Sequence, residues 1–431
     1  MSLIEDPLRI FTQVQMRRTK KQGGSKMGKM FKGLALSAVA SSVVMAGGYK
    51  IPEQSLNGMA LGAAYVAHTM GADTAYYNPA NMAFMADKQY VEGAITLARL
   101  PSVTYTLAEP FSGKSKEENI LIPNFHYVSN AIGDFRWGVS MVAPGGLTKR
   151  WGADSPYQMA TAEEFTLTVV ELNPSMSYKI ADNLSVGAGL RFIYSEGVVK
   201  GDATPLGGPK IDMEADTVEF GYNLAIAYKP TDDINMAATY RSNIDIEEEG
   251  SALITAGPVT LYDGDASVTV PLPAALNLAV SKTWNDKFTL EFNYERTYWS
   301  EYETLEFVGT PLPVSVKNWK DTNTFRLGAT VQMDNKITMM MGYAIDETPV
   351  PIETIGFELP DSDAKVFSLG FRYQQTEDLS WGAAFLSTNK DPISLTAGAH
   401  ENQSPTNLLN QGGSFGGGGA YLTTIGMAYE F

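Results

Sequence analysis

The sequence contains no cysteine and only three histidines, His68, His126 and His400, spread along 431 residues. Without thiols there are no disulfides, no zinc thiolate sites and no cysteine nucleophile, and histidines so far apart argue against a metal cluster. Charge is sparse as well: Asp, Glu, Lys and Arg make up 19% of the chain, with a net charge of −16. That acidity argues against nucleic acid as a partner, because phosphate binding calls for a basic surface excess. After the first 46 residues no hydrophobic run approaches the roughly eighteen apolar residues of a membrane helix. If this chain spans a membrane, it does so with strands.

Residues 1–46 have the composition of a leader. Residues 1–26 are polar and basic, with Arg17, Arg18, Lys20, Lys21 and Lys26, and Met27 then opens an export signal. Lys29 and Lys32 form its positive end, residues 33–45 its apolar stretch, and Val44, Met45 and Ala46 a small-residue cleavage site. Residues 1–26 are either a long basic extension of that signal or the product of a start codon placed too far upstream. The mature chain is expected to begin at Gly47.

Residues 47–87 are the one long segment beyond the leader without a strand pattern, rich in Ala, Gly and Met. Asn78, Pro79 and Ala80 give its clearest signal: Asn is a favoured N-cap, and Pro at the first helical position gives up an N–H that has no partner there. A short helix over about 79–86 is expected. From residue 88 to the end, runs of about nine to fifteen residues alternate apolar with small or polar side chains and end in turns. Leu184, Val186, Ala188, Leu190, Phe192 and Tyr194 share one face, and Ser185, Gly187, Gly189, Arg191 and Ser195 the other. The second face is too mixed for a water-exposed exterior of ordinary charge density, so the apolar face is assigned to lipid.

Short polar turns at 133–134, 181–183, 230–233, 285–286, 334–335 and 376–378 alternate with longer loops at 108–116, 145–164, 199–212, 247–267, 306–312, 347–361 and 388–419. Six turns and seven loops imply about fourteen antiparallel strands with both ends on the short-turn, periplasmic side. The fold expected is all-β: a transmembrane β-barrel over 88–431 with a small helical plug, or hatch, over 47–87 in its lumen. The glycine-rich stretch 412–419 is expected to be a mobile loop. The chain ends on Ile425, Met427, Tyr429 and Phe431 facing lipid, similar to the carboxy-terminal signal of bacterial outer-membrane proteins.

Several phrases, in order along the mature chain, resemble the FadL/TodX-type outer-membrane transporters of long-chain fatty acids and aromatic hydrocarbons. They are Asn78-Pro79-Ala80, Leu147 to Trp151, Asn173-Pro174-Ser175 with Tyr178, Leu184 to Leu190, Tyr298-Trp299-Ser300, Trp319-Lys320-Asp321, Asp346 to Pro351 and Leu359-Pro360-Asp361. The resemblance implies passive uptake of hydrophobic compounds through a plugged barrel, with no enzymatic activity and no cofactor. It also implies a bacterial outer-membrane location among membrane lipid and lipopolysaccharide, insertion by the barrel assembly machinery, and function as a monomer. Ligand would meet the first mature residues, Gly47, Tyr49 and Ile51, and leave sideways at the third strand, residues 135–143, where Gly138 and Pro144 weaken the ladder. Gly and Pro at a strand end are equally ordinary turn residues.

Met59, Met82, Phe84 and Met85 either line a ligand pocket, since Met adapts to varied apolar shapes, or pack the hatch on the wall. Arg191 and Arg326 face the lumen with Glu219, Arg241, Glu291, Glu295 and Arg372. Either they brace barrel and hatch as an ion network, with Glu219 beside Arg191 and Glu295 beside Arg326, or one of them holds a ligand carboxylate. A general porin and a barrel lipid hydrolase, with His126 near Ser129 or Ser140, are the alternatives. The hatch argues against the first and the scattered histidines against the second. Fatty acids, alkanes and arenes demand similar linings, so the sequence does not choose among them.

Overall fold

The computed structural model describes residues 47–404 and 407–431; the leader lies outside the described residues. Alternation builds a closed antiparallel barrel of fourteen strands. They are β1 (Tyr90–Leu100), β2 (Glu118–Val128), β3 (Phe135–Lys149), β4 (Glu164–Ala181), β5 (Leu184–Asp202), β6 (Lys210–Thr231), β7 (Ile234–Arg241 continued by Ile244–Ala256) and β8 (Val259–Leu272 continued by Ala274–Trp284). Then come β9 (Phe288–Tyr298), β10 (Thr322–Gln332), β11 (Ile337–Asp346), β12 (Ala364–Gln374), β13 (Leu379–Lys390) and β14 (Ala420–Glu430). Each strand pairs with the next, and β1 closes on β14 from Tyr90 opposite Glu430 to Arg99 opposite Tyr421. The exterior carries Leu190 at 58% exposure, Phe220 at 56% and Ile425 at 63%. So much apolar surface is stable only against lipid.

The six short connections fall at the expected turns. Two expected loops are much shorter than expected: the chain is strand to Asp202 and again from Lys210, leaving residues 203–209, and strand to Ala256 and again from Val259, leaving a tight hairpin. The alternation continues there, but the outward residues become charged, as with Asp245, Glu247 and Glu249 on β7 and Asp263 and Asp265 on β8, all exposed or half-buried. Polarity that suggested a loop is the outer face of strands rising above the lipid.

Within β7 and β8 the inward face changes phase. Lower β7 turns Ala237, Thr239 and Arg241 inward, and upper β7 turns Ile244, Ile246 and Glu248 inward. The register between β6 and β7 accounts for it: Asn223 faces Arg241, but Asp216 faces Glu249, so β7 holds one extra residue between them. Pro273 breaks β8 at the matching height, so the two bulges cancel across the β7–β8 ladder. A one-residue slip moves a strand's apolar set to its other face. Here it carries that set from the lipid side into the lumen.

Residues 47–87 fill the lower lumen. Ser55 caps the helix Leu56–Ala60 by accepting from Gly58 N, and Asn78 caps a 3₁₀ turn, Pro79–Phe84, by accepting from Ala80 N. The expected helix is thus present in its tighter 3₁₀ form and ends earlier. The wall lets this backbone close in only where it lacks a side chain: a Cβ on Gly342 would sit 2.1 Å from the carbonyl carbon of Leu61, and one on Gly187 2.5 Å from Ala80 N. The stretch expected to be a mobile glycine loop is strand from Gly413 to Gly417, paired with Val103–Thr106. It forms part of a cap in which Tyr105, Trp151, Phe357, Leu408 and Phe415 pack together.

Candidate functional site

Inward polar side chains from around the barrel hold the hatch. Glu291 on β9 accepts three successive backbone N–H groups, from Val66 at 2.6 Å, Ala67 at 3.0 Å and His68 at 2.8 Å. Arg136 on β3 donates to the carbonyls of Met82, Met85, Ala86 and Lys88, closing the end of the 3₁₀ turn. Ser175, Ser185 and Ser368 donate to the carbonyls of Ala75, Ala80 and Ala60. A segment with so little regular structure satisfies its backbone through the wall, as burial requires.

Three ionic groups cross the lumen. Glu171 on β4, fully buried, accepts from Arg191 Nη2 at 3.0 Å and from Arg241, whose guanidinium lies 4.3 Å from the Tyr76 ring centre. Glu295 accepts from Lys50 at 2.7 Å and from Arg326 at 3.2 Å. Arg372 donates to Glu92 at 2.7 Å and to Asn57 of the hatch. The partner of Arg191 is therefore Glu171 and not Glu219, which accepts from Thr217. Arg191 and Arg326 both brace the structure. Close by, burial pushes the Glu53 carboxyl up to about 7, and its Oε2 is buried without a partner among the described residues.

The start of the hatch, residues 49–54, takes over an edge of the third strand. β2 and β3 pair only from Val128 opposite Gly138 to Phe125 opposite Met141, and β3 then bulges between Val142 and Gly145. Pairing resumes at the top, where Lys116 N donates to Arg150 O. Between these points no β2–β3 ladder is formed among the described residues, and the hatch occupies the freed edge. Ile51 N donates to Pro144 O at 2.9 Å, Gly146 N to Tyr49 O at 2.8 Å, and Gln54 makes a two-way amide contact with Ala143. The inner side of this window is apolar, with Ile51, Ile120, Ile122, Val142 and Ala143 in one cluster.

Above it lies a partly open apolar cavity lined by Tyr49, Leu147, Phe165, Leu167, Val199, Val268, Val270 and, from the loops after β9 and β11, Tyr302, Leu305, Phe307, Trp319 and Leu359. The inverted phase of β8 places Val268 and Val270 there. Tyr49 stands edge-on to Trp299 at 4.8 Å between ring centres and 5.6 Å from Trp319, and its hydroxyl donates to Pro271 O. Gly48, at φ +78°, leaves no room for more than hydrogen beside Trp299. Three charged groups share the wall, Glu248, Lys317 and Glu358. Burial raises the Glu358 carboxyl, but the paired Lys317 beside it outweighs that and holds it below its ordinary value.

Of the residues expected to meet ligand, the structure brings Tyr49 to this cavity. Gly47 lies against Asp346, and Ile51 against the window. Met59, Met82 and Met85 pack the hatch on the wall, and Phe84 lies under the Lys229 ammonium at 4.4 Å. Gly138 sits in the paired part of β3, where a Cβ would come 2.7 Å from Ala75 and 2.9 Å from Met82 Sδ; Pro144 lies in the bulge. His126 Nδ1 and Ser140 Oγ are 2.9 Å apart, but Nε2 is held by the Gln54 carbonyl, so no carboxylate orients the ring and both residues are fully buried. Glu171, Arg136, Trp299, Trp319 and Tyr302 escaped the sequence reading; the Trp299 and Trp319 phrases carried the resemblance, which was their only signal.

The family described as outer membrane protein transport protein (OMPP1/FadL/TodX) matches residues 37–431. The long-chain fatty acid transport protein of Escherichia coli (strain K12) is 23% identical over 420 residues, covering 85% of this chain and 93% of that protein. The 47 kDa outer membrane protein of Pasteurella multocida is 26% identical over 402 residues, covering 84% and 91%. Among solved structures, a Pseudomonas aeruginosa FadL homologue superposes with a TM-score of 0.76 at 20% identity, covering 89% of this chain and 99% of that one. The P. putida toluene transporter TodX gives 0.68 at 17%, covering 88% and 99%.

Proposed function

The chain belongs to the OMPP1/FadL/TodX family of outer membrane transport proteins, and from that premise we propose that it takes up fatty acids or hydrocarbons by passive diffusion with sideways release. An apolar compound gains nothing from a wet channel and partitions to apolar surface. It enters the cavity around Tyr49 beneath the loops, displaces the first mature residues from β3, and passes between β2 and β3 into the membrane. In this reading the hatch keeps the lumen shut to water while one barrel works as a single unit in outer-membrane lipid.

The observation that carries the reading is the window between Met141 and Arg150, where β3 exchanges β2 for the hatch edge at Tyr49 to Ile51. Lys50 and Gly145 face each other there as antiparallel bridge partners, a spacing within the reach of a disulfide, and the chain has no other cysteine. A Lys50→Cys/Gly145→Cys protein, oxidised, is expected to lose at least about tenfold in uptake of a hydrocarbon and to recover it on reduction, a change of about 1.4 kcal/mol in barrier. Equal uptake by the oxidised and reduced forms would rule out release at this edge.

A further inference from the structure

The reading of the cavity as the ligand site leaves open which compounds it accepts, and the charge of its wall bears on that. Lys317 Nζ lies 2.5 Å from Glu358 Oε1, so the only cation among the described lining residues is already matched. Glu248 is not matched. It is 2% exposed, accepts from Ser195 Oγ at 2.7 Å, and the other charges acting on it are the carboxylates Glu196 and Asp216. Trp319, in the same wall, has its indole N–H buried without an acceptor among the described residues. The wall thus offers one unmatched carboxylate and one free neutral donor, and no free cation among the described residues.

A carboxylate brought here would stand beside Glu248 with nothing to neutralise it, and burying an unpaired charge beside a like charge is unfavourable on both counts. A neutral ligand meets no such penalty. A hydroxyl can donate to a carboxylate and accept from an indole N–H. The outer faces of β5 to β8 above the lipid carry Glu196, Asp216, Glu247, Glu249, Asp263 and Asp265, against the cation Lys200, which pairs with Asp212 and Glu214, so the field around the same entrance is net negative. We propose that the cavity takes neutral apolar compounds, hydrocarbons and their alcohols, and that Glu248 is the specificity residue that keeps carboxylates out. It acts by charge at the wall and performs no chemistry.

The test compares dodecanol with dodecanoate at pH 8, where the acid is ionised, on the full chain in detergent, with quenching of tryptophan fluorescence as readout. Dodecanol is expected to bind at least tenfold more tightly than dodecanoate. Glu248→Gln, which keeps the shape and removes the charge, is expected to narrow that gap to about threefold by tightening dodecanoate. Equal affinities for the two in the unaltered protein overturn the proposal without the variant's needing to fold, as does a gap that Glu248→Gln leaves unchanged. If neither compound quenches, the cavity is not the ligand site and the reading beneath this proposal falls with it.

Discussion

Glu171 on β4 holds the guanidinium groups of Arg191 on β5 and Arg241 on β7, and all of its own surface is buried. Removing the shared acceptor leaves two cations facing each other in the lumen, a loss on the order of 3–5 kcal/mol. Glu171→Gln is therefore expected to lower the unfolding temperature of the barrel sharply, and Arg191→Ala to do so without singling out acids among the compounds transported. Selective loss of dodecanoate uptake in a normally stable Arg191→Ala protein would restore Arg191 as a ligand contact. The arginines were legible from strand parity, which put them in the lumen. Their partner was not, because Glu171 is an isolated acid in an apolar run, Val169-Val170-Glu171-Leu172, and it meets Arg241 only after four strands, β4 to β7, lie side by side.

Strands and turns were legible because each turn is built from residues that interrupt alternation, such as Asn285 and Asp286, both at positive φ. Strand height was hidden, since alternation with charged residues outside resembles a polar loop until the lipid boundary is known. The bulges in β7 and β8 were hidden for a related reason: one extra residue at Ser242 and Asn243 changes no composition, yet it decides whether Ile244 and Ile246 face lipid or cavity. Inserting one alanine between Asn243 and Ile244 should rotate Asp245, Glu247 and Glu249 toward the lumen. Such a protein is expected not to give a compact, heat-modifiable band when run unheated on gels. Deleting Pro258 at the hairpin tip leaves the phase below intact and should be tolerated. A folded barrel carrying the insertion with unaltered dodecanol binding would mean that the phase of upper β7 does not shape the cavity.

At the scale of the whole molecule, barrel and hatch divide the work between backbone and side chains. Except at the window in β3, where the hatch supplies the partners of Ala143, Pro144 and Gly146, the barrel satisfies its own backbone through ladders from β1 round to β14, whereas the hatch depends on the wall: on Glu291 for three N–H groups and on Arg136 for four carbonyls. The barrel leans on the hatch at that one window and on itself everywhere else, so it should assemble without the hatch while the hatch has no fold without the barrel. What the wall turns inward, Ser175, Ser185, Glu291, Ser368 and Arg372, is suited to water once the hatch is gone, and barrels with a polar, unfilled interior conduct ions. Deleting residues 47–87 is expected to raise single-channel conductance in a planar bilayer from near closed to that of an open porin. Glu291→Ala, which removes one anchor and keeps the segment, should give brief openings of the same size. Unchanged conductance in the deletion would mean that the loop cap around Tyr105, Trp151 and Phe415 closes this barrel by itself, and the hatch would then serve only to hold the edge of β3.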